Sequence, residues 1–287
     1  MSVISFVILH YGNVQVTKEC VDSILQLHTE DDIHMLVVDN DTNKSDEERQ
    51  LLKQRVLIDS RIEVLEITEK SGFSRANNEG YAYTRKMHSP DYVVVTNNDI
   101  VFEQKDFITK MKDSYSKNPY AVLSPDIVSR ENGQHQSPIS VQGRSVFQVN
   151  YTIWMNRICL ILFPLIYPLL QRNYNKNKVM GVGQQDLVYK ENIVPCGACI
   201  IVSKRFVEQE QKIFMPETNF YYEEYILYQQ CQRKEYKILF DPELQVIHGD
   251  GIATKENKLN EKKRLKFVMK ETLEAAKVYK ELLQNSK

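Results

Sequence analysis

Nearly continuous apolar runs alternate with amphipathic stretches along the first third of the chain. The runs cover residues 3–9, 35–38, 62–67 and 92–95. Uninterrupted runs of this length are typical of strands that are buried on both faces. After the first run, apolar side chains recur at three- and four-residue steps and predict a helix: Val16, Cys20, Ile24 and Leu27. The alternation predicts an α/β fold with a mostly parallel sheet and helices on both of its faces.

The second half of the chain is less regular. Residues 130–153 are polar and rich in turn-forming residues, which predicts a loop or a short hairpin. Apolar runs at 198–202 and 236–240 predict two further strands, and a helix is predicted to end at Arg233. From Glu256 onward apolar residues repeat at helical spacing, so residues 253–287 predict a C-terminal amphipathic helix.

An uncharged run at 158–170 lies inside an apolar insertion over residues 154–172. As a helix rising ~1.5 Å per residue it would cover about 20 Å, which is short of the ~30 Å hydrocarbon core of a bilayer. Pro164 and Pro168 also interrupt it, so we expect no span here. The run is expected to pack in the core, to form a homodimer interface, or to lie at a membrane surface together with segment 255–270, which has seven basic and two acidic residues.

The composition narrows the range of partners and compartments. A formal net charge of −1 over 287 residues gives no global attraction to nucleic acid, so no nucleic-acid partner is expected. Five cysteines at irregular spacing do not predict a disulfide framework and favour reduced thiols. The first predicted strand starts at Val3 without a basic leader, so no signal peptide is predicted. These features together predict a cytoplasmic protein.

Polar residues directly follow three of the predicted strands. They are Asp39 and Asn40, then Ser71 and Gly72, and then residues 97–99. Because ligands of such sheets bind beyond the carboxyl ends of the strands, this placement predicts a binding site. The carboxylate of Asp39 could accept the imide N–H of uracil or thymine, although a turn-forming aspartate is an equally common interpretation.

Four further residues could carry chemistry. Asp99 could bind Mg²⁺ or Mn²⁺ together with substrate phosphates, and the neutral imidazole of His248 suits the same ion. Alone, each has a more ordinary interpretation, as a turn-forming Asp or a hydrogen-bonded His. The adjacent Glu223 and Glu224 could begin a solvated helix or, in partly apolar surroundings, supply a general base with a raised pKa.

Short motifs follow one another along the chain in a fixed order. VVDN at 37–40, SGFSRANNEG at 71–80 and TNNDI at 96–100 come first, followed by PCGACII at 195–201, FYYEE at 220–224 and YKI at 236–238 with His248. In this order they resemble family-2 glycosyltransferases, most closely those of bacterial surface-polysaccharide synthesis, of the rhamnosyl- and galactosyl-transferase type. The resemblance extends from Val3 to about Gly251.

The resemblance implies the GT-A fold, with a nucleotide-binding half at 1–128 and an acceptor half at 129–252. It implies that Asp39 recognises the nucleobase of the donor. It also assigns further donor contacts to Arg75, Asn78, Asn97 and Asn98. Asn97 also occupies the first position of the family's metal-binding Asp-x-Asp motif, which is a departure from the usual aspartate.

The same resemblance assigns roles in catalysis. Asp99 and His248 are implied to hold a divalent Mn or Mg ion, and Glu224, with Glu223 beside it, is implied to be the catalytic base. The implied reaction is inverting transfer from a UDP- or dTDP-sugar to a hydroxyl of a glycan or polyprenyl-linked glycan, for example in capsule synthesis. The open alternative is a non-catalytic subunit of the same fold that binds sugar nucleotides or glycans. The sequence lacks the Gly- and Arg-rich loop after the first strand that a sugar-1-phosphate nucleotidyltransferase would need.

Overall fold

A computed structural model describes residues 1–42, 44–69, 71–169, 187–215, 217–249 and 261–285. Within them, one sheet has the strand order β3-β2-β1-β4-β8-β6-β9-β5, and β7 pairs with β9. The strands are β1 (Val3–His10), β2 (Asp32–Asp39), β3 (Ile62–Glu66), β4 (Tyr92–Asn97), β5 (Ile100–Val101), β6 (Val122–Ser129), β7 (Lys190–Glu191), β8 (Cys199–Ser203) and β9 (Ile238–His248).

The first four strands are all parallel. β1 pairs in parallel with β2 and β4, and β2 pairs in parallel with β3. β8 is antiparallel to both β4 and β6, which restores the original direction for β6 and for its parallel neighbour β9. Six of the nine described strands therefore run the same way, and the predicted α/β fold with a mostly parallel sheet is confirmed.

Helices cover both faces of the sheet. They are α1 (Val14–Leu25), α2 (Asp46–Val56), α3 (Phe73–His88), α4 (Phe107–Lys117), α5 (Val146–Ile161), α6 (Phe163–Leu169), α7 (Lys204–Gln209), α8 (Glu223–Arg233) and α9 (Glu261–Gln284). Buried side chains of α1, α2 and α4 form one apolar cluster with the sheet, and those of α3, α7 and α8 form another on the opposite face.

A third apolar cluster lies outside these two layers. Val149 and Ile153 of α5 pack with Ile226 of α8 and with Leu273 and Tyr279 of α9. The predicted C-terminal helix is confirmed over Glu261–Gln284, while residues 253–260 lie outside the described part of the chain. The C-terminal half of this helix is therefore part of the folded domain.

Two predicted boundaries were wrong. The loop predicted over 130–153 ends earlier, because a capping box between Ser145 and Gln148 starts α5 at Val146. The strand predicted over 236–240 is longer and extends to His248. Its apolar pattern is broken by polar residues after Phe240, next to the register shift between β9 and β6, and this break hid the second half of the strand.

The apolar insertion predicted over 154–172 consists of the end of α5 followed by α6, and residues 170–172 lie outside the described part. In the described residues, no single helix is both long and apolar enough to cross a membrane. α5 and α6 reach that length and composition only as a pair, which is bent by 105°.

The fit of α3 against the sheet depends on Gly80. A Cβ at this position would lie 2.6 Å from side-chain carbons of both Val7 and Val38. Alanine would gain about 1 kcal/mol of helix propensity, but overpacking against two strands typically costs about 1–3 kcal/mol. Gly80→Ala should therefore lower the free energy of unfolding in urea, whereas the exposed neighbour Glu79→Ala should change it little. A stabilised Gly80→Ala would contradict this packing.

Candidate active site

The first part of the site lies at the end of β2. Asp39 is buried, and its Oδ1 accepts a hydrogen bond from the backbone N–H of Asp41 at 3.2 Å. Its Oδ2 is buried without a hydrogen-bond partner. Burial raises the pKa of Asp39. The turn-forming interpretation thus accounts for one oxygen, and the other accepts no hydrogen bond from the protein.

His10 and Lys44, two residues near Asp39, were not predicted from the sequence to belong to the site. His10 is the register partner of Asp39 on β1, and its ring contacts the Thr17 hydroxyl on one side and the Lys44 ammonium on the other. Burial, followed by the charge of Lys44, lowers the pKa of His10 to about 3, so the ring is neutral. Burial also lowers the pKa of Lys44. The only sequence signal for this pair was a His at the end of a buried strand.

Asn98 shares a hydrogen-bond partner, the Thr17 hydroxyl, with His10. Its amide nitrogen donates to the Thr17 hydroxyl at 2.8 Å and to the carbonyl of Tyr11 at 3.2 Å. Asn98 is buried, so these bonds tie the end of β4 to the start of α1. The donor contact predicted for Asn98 remains a prediction, and the hydrogen bonds show a positioning function.

Asp99 and His248 come together where β5 pairs with β9. Nε2 of His248 lies 3.3 Å from Oδ1 of Asp99, and Nδ1 lies 2.6 Å from Oε1 of Gln136. Because Nδ1 donates to Gln136, a neutral ring directs the Nε2 lone pair at the carboxylate. Two acceptors this close are stabilised by a proton or a cation between them, and a His whose other nitrogen donates a hydrogen bond is the usual form of a metal ligand.

The acidic pair begins α8, where Glu223 is buried and Glu224 is half-buried. Oε2 of Glu223 is buried without a partner, whereas Oε1 of Glu224 accepts from the backbone N–H of Gly197 at 3.3 Å. Burial and then the charge of Glu224 raise the pKa of Glu223 well above its usual range. Burial also raises the pKa of Glu224, against the effect of backbone hydrogen bonds. The alternative of a solvated helix start is therefore wrong.

Strained tyrosines hold the acidic pair in place. Tyr221 and Tyr222 have φ angles of 69° and 63°, in the left-handed region, just before α8. Non-glycine residues in this region cost about 1–3 kcal/mol each and tend to occur at functional sites. The ring of Tyr222 lies within 5.6 Å of those of Tyr225 and Tyr279, and the Arg144 guanidinium lies 5.2 Å from its centre.

The segment before β8 connects the acidic pair to the end of β4. The N–H of Asn97 donates to the carbonyl of Ala198 at 2.9 Å, and the adjacent Gly197 donates to Glu224. A Cβ on Gly197 would lie 2.8 Å from Oε1 of Glu224. The absence of a side chain there therefore leaves room for the carboxylate to approach the strand ends.

Asn78 and Arg75 differ in their environment. The side-chain amide of Asn78 donates to the carbonyl of Phe214 at 2.7 Å and accepts from the N–H groups of Ile213 and Phe214. These bonds fix the chain that leads to the acidic pair against α3, so Asn78 has a positioning function. Arg75 is exposed on the first turn of α3, and its predicted contact with a donor is not tested by these interactions.

The residues of this site fit a divalent ion in part. Among the described residues, no group of three or more His, Cys, Asp and Glu side chains could hold a metal ion. Asp99 and His248 supply two ligands of suitable chemistry, an oxygen and an imidazole nitrogen, at one point. An ion there would take its other ligands from water and substrate phosphates, as Mg²⁺ commonly does.

Comparisons with known proteins identify the family and the fold of this chain. The chain matches glycosyl transferase family 2 over residues 5–210. It is similar to the crystal structure of S. aureus TarS 1–349, with a TM-score of 0.51 and 12% sequence identity over 94% of this chain and 65% of that one. This chain thus spans less than two thirds of the TarS fragment, and the likeness concerns the fold alone. No curated protein matches the sequence. Together, the family match and the structural likeness confirm the predicted GT-A fold.

The buried Glu223 makes stability depend on pH. Because its pKa is higher in the folded than in the unfolded state, the native state binds this proton more tightly. Stability should fall as pH rises above ~4.3, by up to about 1.4 kcal/mol per pH unit, until the folded pKa is reached. Glu223→Gln should flatten this fall and be more stable than the wild type at pH 8, as measured by urea unfolding across pH. The exposed Glu208→Gln is the control. Parallel curves for wild type and Glu223→Gln would contradict the assignment.

Proposed function

The chain belongs to glycosyl transferase family 2, and on that premise we propose that it transfers a sugar from a UDP- or dTDP-sugar to a hydroxyl of a glycan or polyprenyl-linked glycan, with inversion. We further propose that the product belongs to a surface polysaccharide. The observation that carries the proposal is the acidic pair, in which Glu223 is buried and the half-buried Glu224 accepts a hydrogen bond from Gly197 beside the carboxyl ends of the strands.

The two glutamates have different roles in this proposal. The N–H of Gly197 stabilises the ionised form of Glu224, while Glu223, buried beside that charge, retains its proton more readily. Glu224 then accepts the proton of the acceptor hydroxyl, whose oxygen forms a bond to the anomeric carbon. The bond from that carbon to the diphosphate oxygen breaks on the opposite face, so a single displacement inverts the configuration. General-base catalysis of this kind contributes about 10²- to 10⁴-fold.

The donor is held by the other groups of the site. The partnerless Oδ2 of Asp39 suits the imide N–H of uracil or thymine. Asp99 and His248 would hold a Mn or Mg ion, whose charge stabilises the departing diphosphate. As part of the same proposal, Asn97 and Arg75, which is exposed on the first turn of α3, contact the donor.

A cytoplasmic location, at the inner face of the cell membrane, is also part of the proposal. All five cysteines are free thiols, which fits a reducing compartment. A polyprenyl-linked acceptor would require access to the bilayer surface.

Replacement of the base should separate chemistry from binding. Glu224→Gln should reduce the release of nucleoside diphosphate from the preferred donor at least ~100-fold while leaving donor affinity within about threefold. Glu223→Gln, which removes no ionised base, should have the smaller effect. The rates are measured by coupled detection of UDP or dTDP, and the affinities by calorimetry. Loss of turnover only in Glu223→Gln would move the base to that residue, and a wild type without turnover on any UDP- or dTDP-sugar would favour the non-catalytic binding subunit.

Asp39 should determine which nucleobase of the donor binds best. In the presence of Mn²⁺, UDP and dTDP should bind the wild type more tightly than GDP, because guanine has a different pattern of donors and acceptors. Asp39→Asn should weaken UDP binding by about 10- to 100-fold, since a hydrogen bond to a charged group contributes about 1.5–3 kcal/mol. The exposed Asp113→Asn on α4 is the matched control. Tighter binding of GDP than of UDP, measured by calorimetry, would refute the assignment.

A further inference from the structure

A row of large apolar side chains on α5 and α6 faces the solvent. In α5, Phe147, Tyr151, Trp154 and Ile161 are 57–80% exposed and follow one another at the spacing of a single helical face. Beyond the 105° bend, α6 adds two further side chains, Leu165 and Leu169, which are 78% and 64% exposed. We call these six residues the apolar stripe. Exposed apolar side chains clustered in this way mark interaction sites in folded proteins.

The residues of the apolar stripe in α5 lie on the face of the helix that does not pack against the rest of the domain. Val149 and Ile153, on the opposite face, are buried against α8 and α9. Phe163, at the start of α6, is also buried. These residues already anchor both helices to the domain, so the expectation that the whole apolar run packs in the core is wrong for the stripe.

Basic side chains border the stripe. The first turns of α9 carry five exposed basic residues, and no acidic residue occurs between the first and the last of them: Lys262, Lys263, Arg264, Lys266 and Lys270. The ammonium groups of Lys262 and Lys266 lie 5.5 and 6.0 Å from the ring centres of Tyr167 and Phe163 in α6. The cationic surface of α9 is therefore directly adjacent to the apolar one.

We propose that the apolar stripe and the adjacent basic turns of α9 dock the enzyme on an anionic lipid bilayer. Apolar side chains with Trp and Tyr suit the interfacial region, and cations beside them are attracted by anionic headgroups. A second copy of this chain is a poorer partner, because a two-fold contact would pair this surface with itself, and the surface contains no acidic residue to neutralise its five cations.

The docking surface is joined to the acidic pair. The ring of Phe220, three residues before Glu223, packs edge-on against that of Phe267 between the basic residues of α9, with centroids 5.5 Å apart. This inference rests on the proposed function in one respect, since a polyprenyl-linked acceptor would approach from the bilayer on this side. The lipid contact itself does not depend on the reaction.

Trp154 allows a direct test because it is the only tryptophan in the chain and lies in the stripe. The full chain is titrated with vesicles of phosphatidylcholine containing phosphatidylglycerol, and with vesicles of phosphatidylcholine alone. The mixed vesicles should shift the Trp154 emission to shorter wavelength, and lipids brominated near the headgroup should quench it. Affinity for the mixed vesicles should fall steeply with added salt.

Paired variants separate the two parts of the surface. Ile161→Asp/Leu165→Asp should abolish the emission shift, whereas Leu57→Asp/Ile58→Asp, at apolar positions about half exposed away from the stripe, should retain it. Lys263→Glu/Lys266→Glu should weaken binding at least ~30-fold, whereas Lys86→Glu/Lys117→Glu, with the same change in net charge on α3 and α4, should not. Circular dichroism checks that each variant is folded.

Two outcomes would overturn the docking proposal. One is the absence of an emission shift with mixed vesicles at low salt. The other is a concentration-dependent dimer, detected by sedimentation, that the Ile161→Asp/Leu165→Asp variant disrupts while vesicles leave Trp154 unchanged. Nucleoside diphosphate release from the donor in vesicle-free solution is measured in parallel. Release without vesicle binding would refute the docking surface alone, whereas vesicle binding without release on any donor would refute the proposed function alone.

Discussion

The burial of Glu223 beside a second carboxylate at the start of α8 is the constraint on which the rest of the structure depends. Removing a charge from water is costly, and Glu223 has no hydrogen-bond partner for its buried Oε2. The helix N-terminus favours negative charge there, and Gly197 donates to Glu224, but neither interaction satisfies Glu223. The position is instead imposed by packing: the Tyr222 ring just before the pair is held among the residues of α5, α8 and α9. Stability gained in that cluster offsets the cost of a strained and desolvated site.

The position of the acidic pair is also coupled to the strands that carry His10 and Asp39. The chain that leads into α8 is fixed to α3 by three hydrogen bonds of Asn78 and by the contact between the Ser74 and Thr218 hydroxyls. α3 in turn packs closely on β1 and β2, whose ends carry His10 and Asp39. A shift of α3 would therefore move the acidic pair relative to Asp39. This coupling gives the buried polar residues of α3 a structural reason that is separate from ligand contact.

The fold and the strand-end residues could be predicted from the sequence because both depend on local pattern. Apolar runs define the strands, and the carboxyl ends of parallel strands meet at one edge, which places Asp39 and Asp99 there. For the acidic pair, the sequence analysis left a solvated and a partly apolar environment open, because the residues that bury Glu223 are distant in sequence. The neutral state of His10 depends likewise on its register with Asp39 and on Lys44. The donor contact of Asn78 remains a prediction, whereas its hydrogen bonds to Ile213 and Phe214 could not be predicted, since a motif identifies a position but not the partner of its side chain.

The C-terminal helix α9 contributes both to the packing around the acidic pair and to the exposed basic surface. Its second half buries Leu273 and Tyr279 against the tyrosines that hold the acidic pair, while its first half carries the exposed cations beside α6. An α-helix transmits position along its length because each turn is fixed by backbone hydrogen bonds. α5 has the same double character, with Val149 and Ile153 in the shared cluster and the apolar stripe on its other face. Any partner that fixes the outer faces of α5 and α9 therefore acts on the same cluster that holds Tyr222. The orientation of the acidic pair and the contact surface of the enzyme are consequently parts of one packing arrangement.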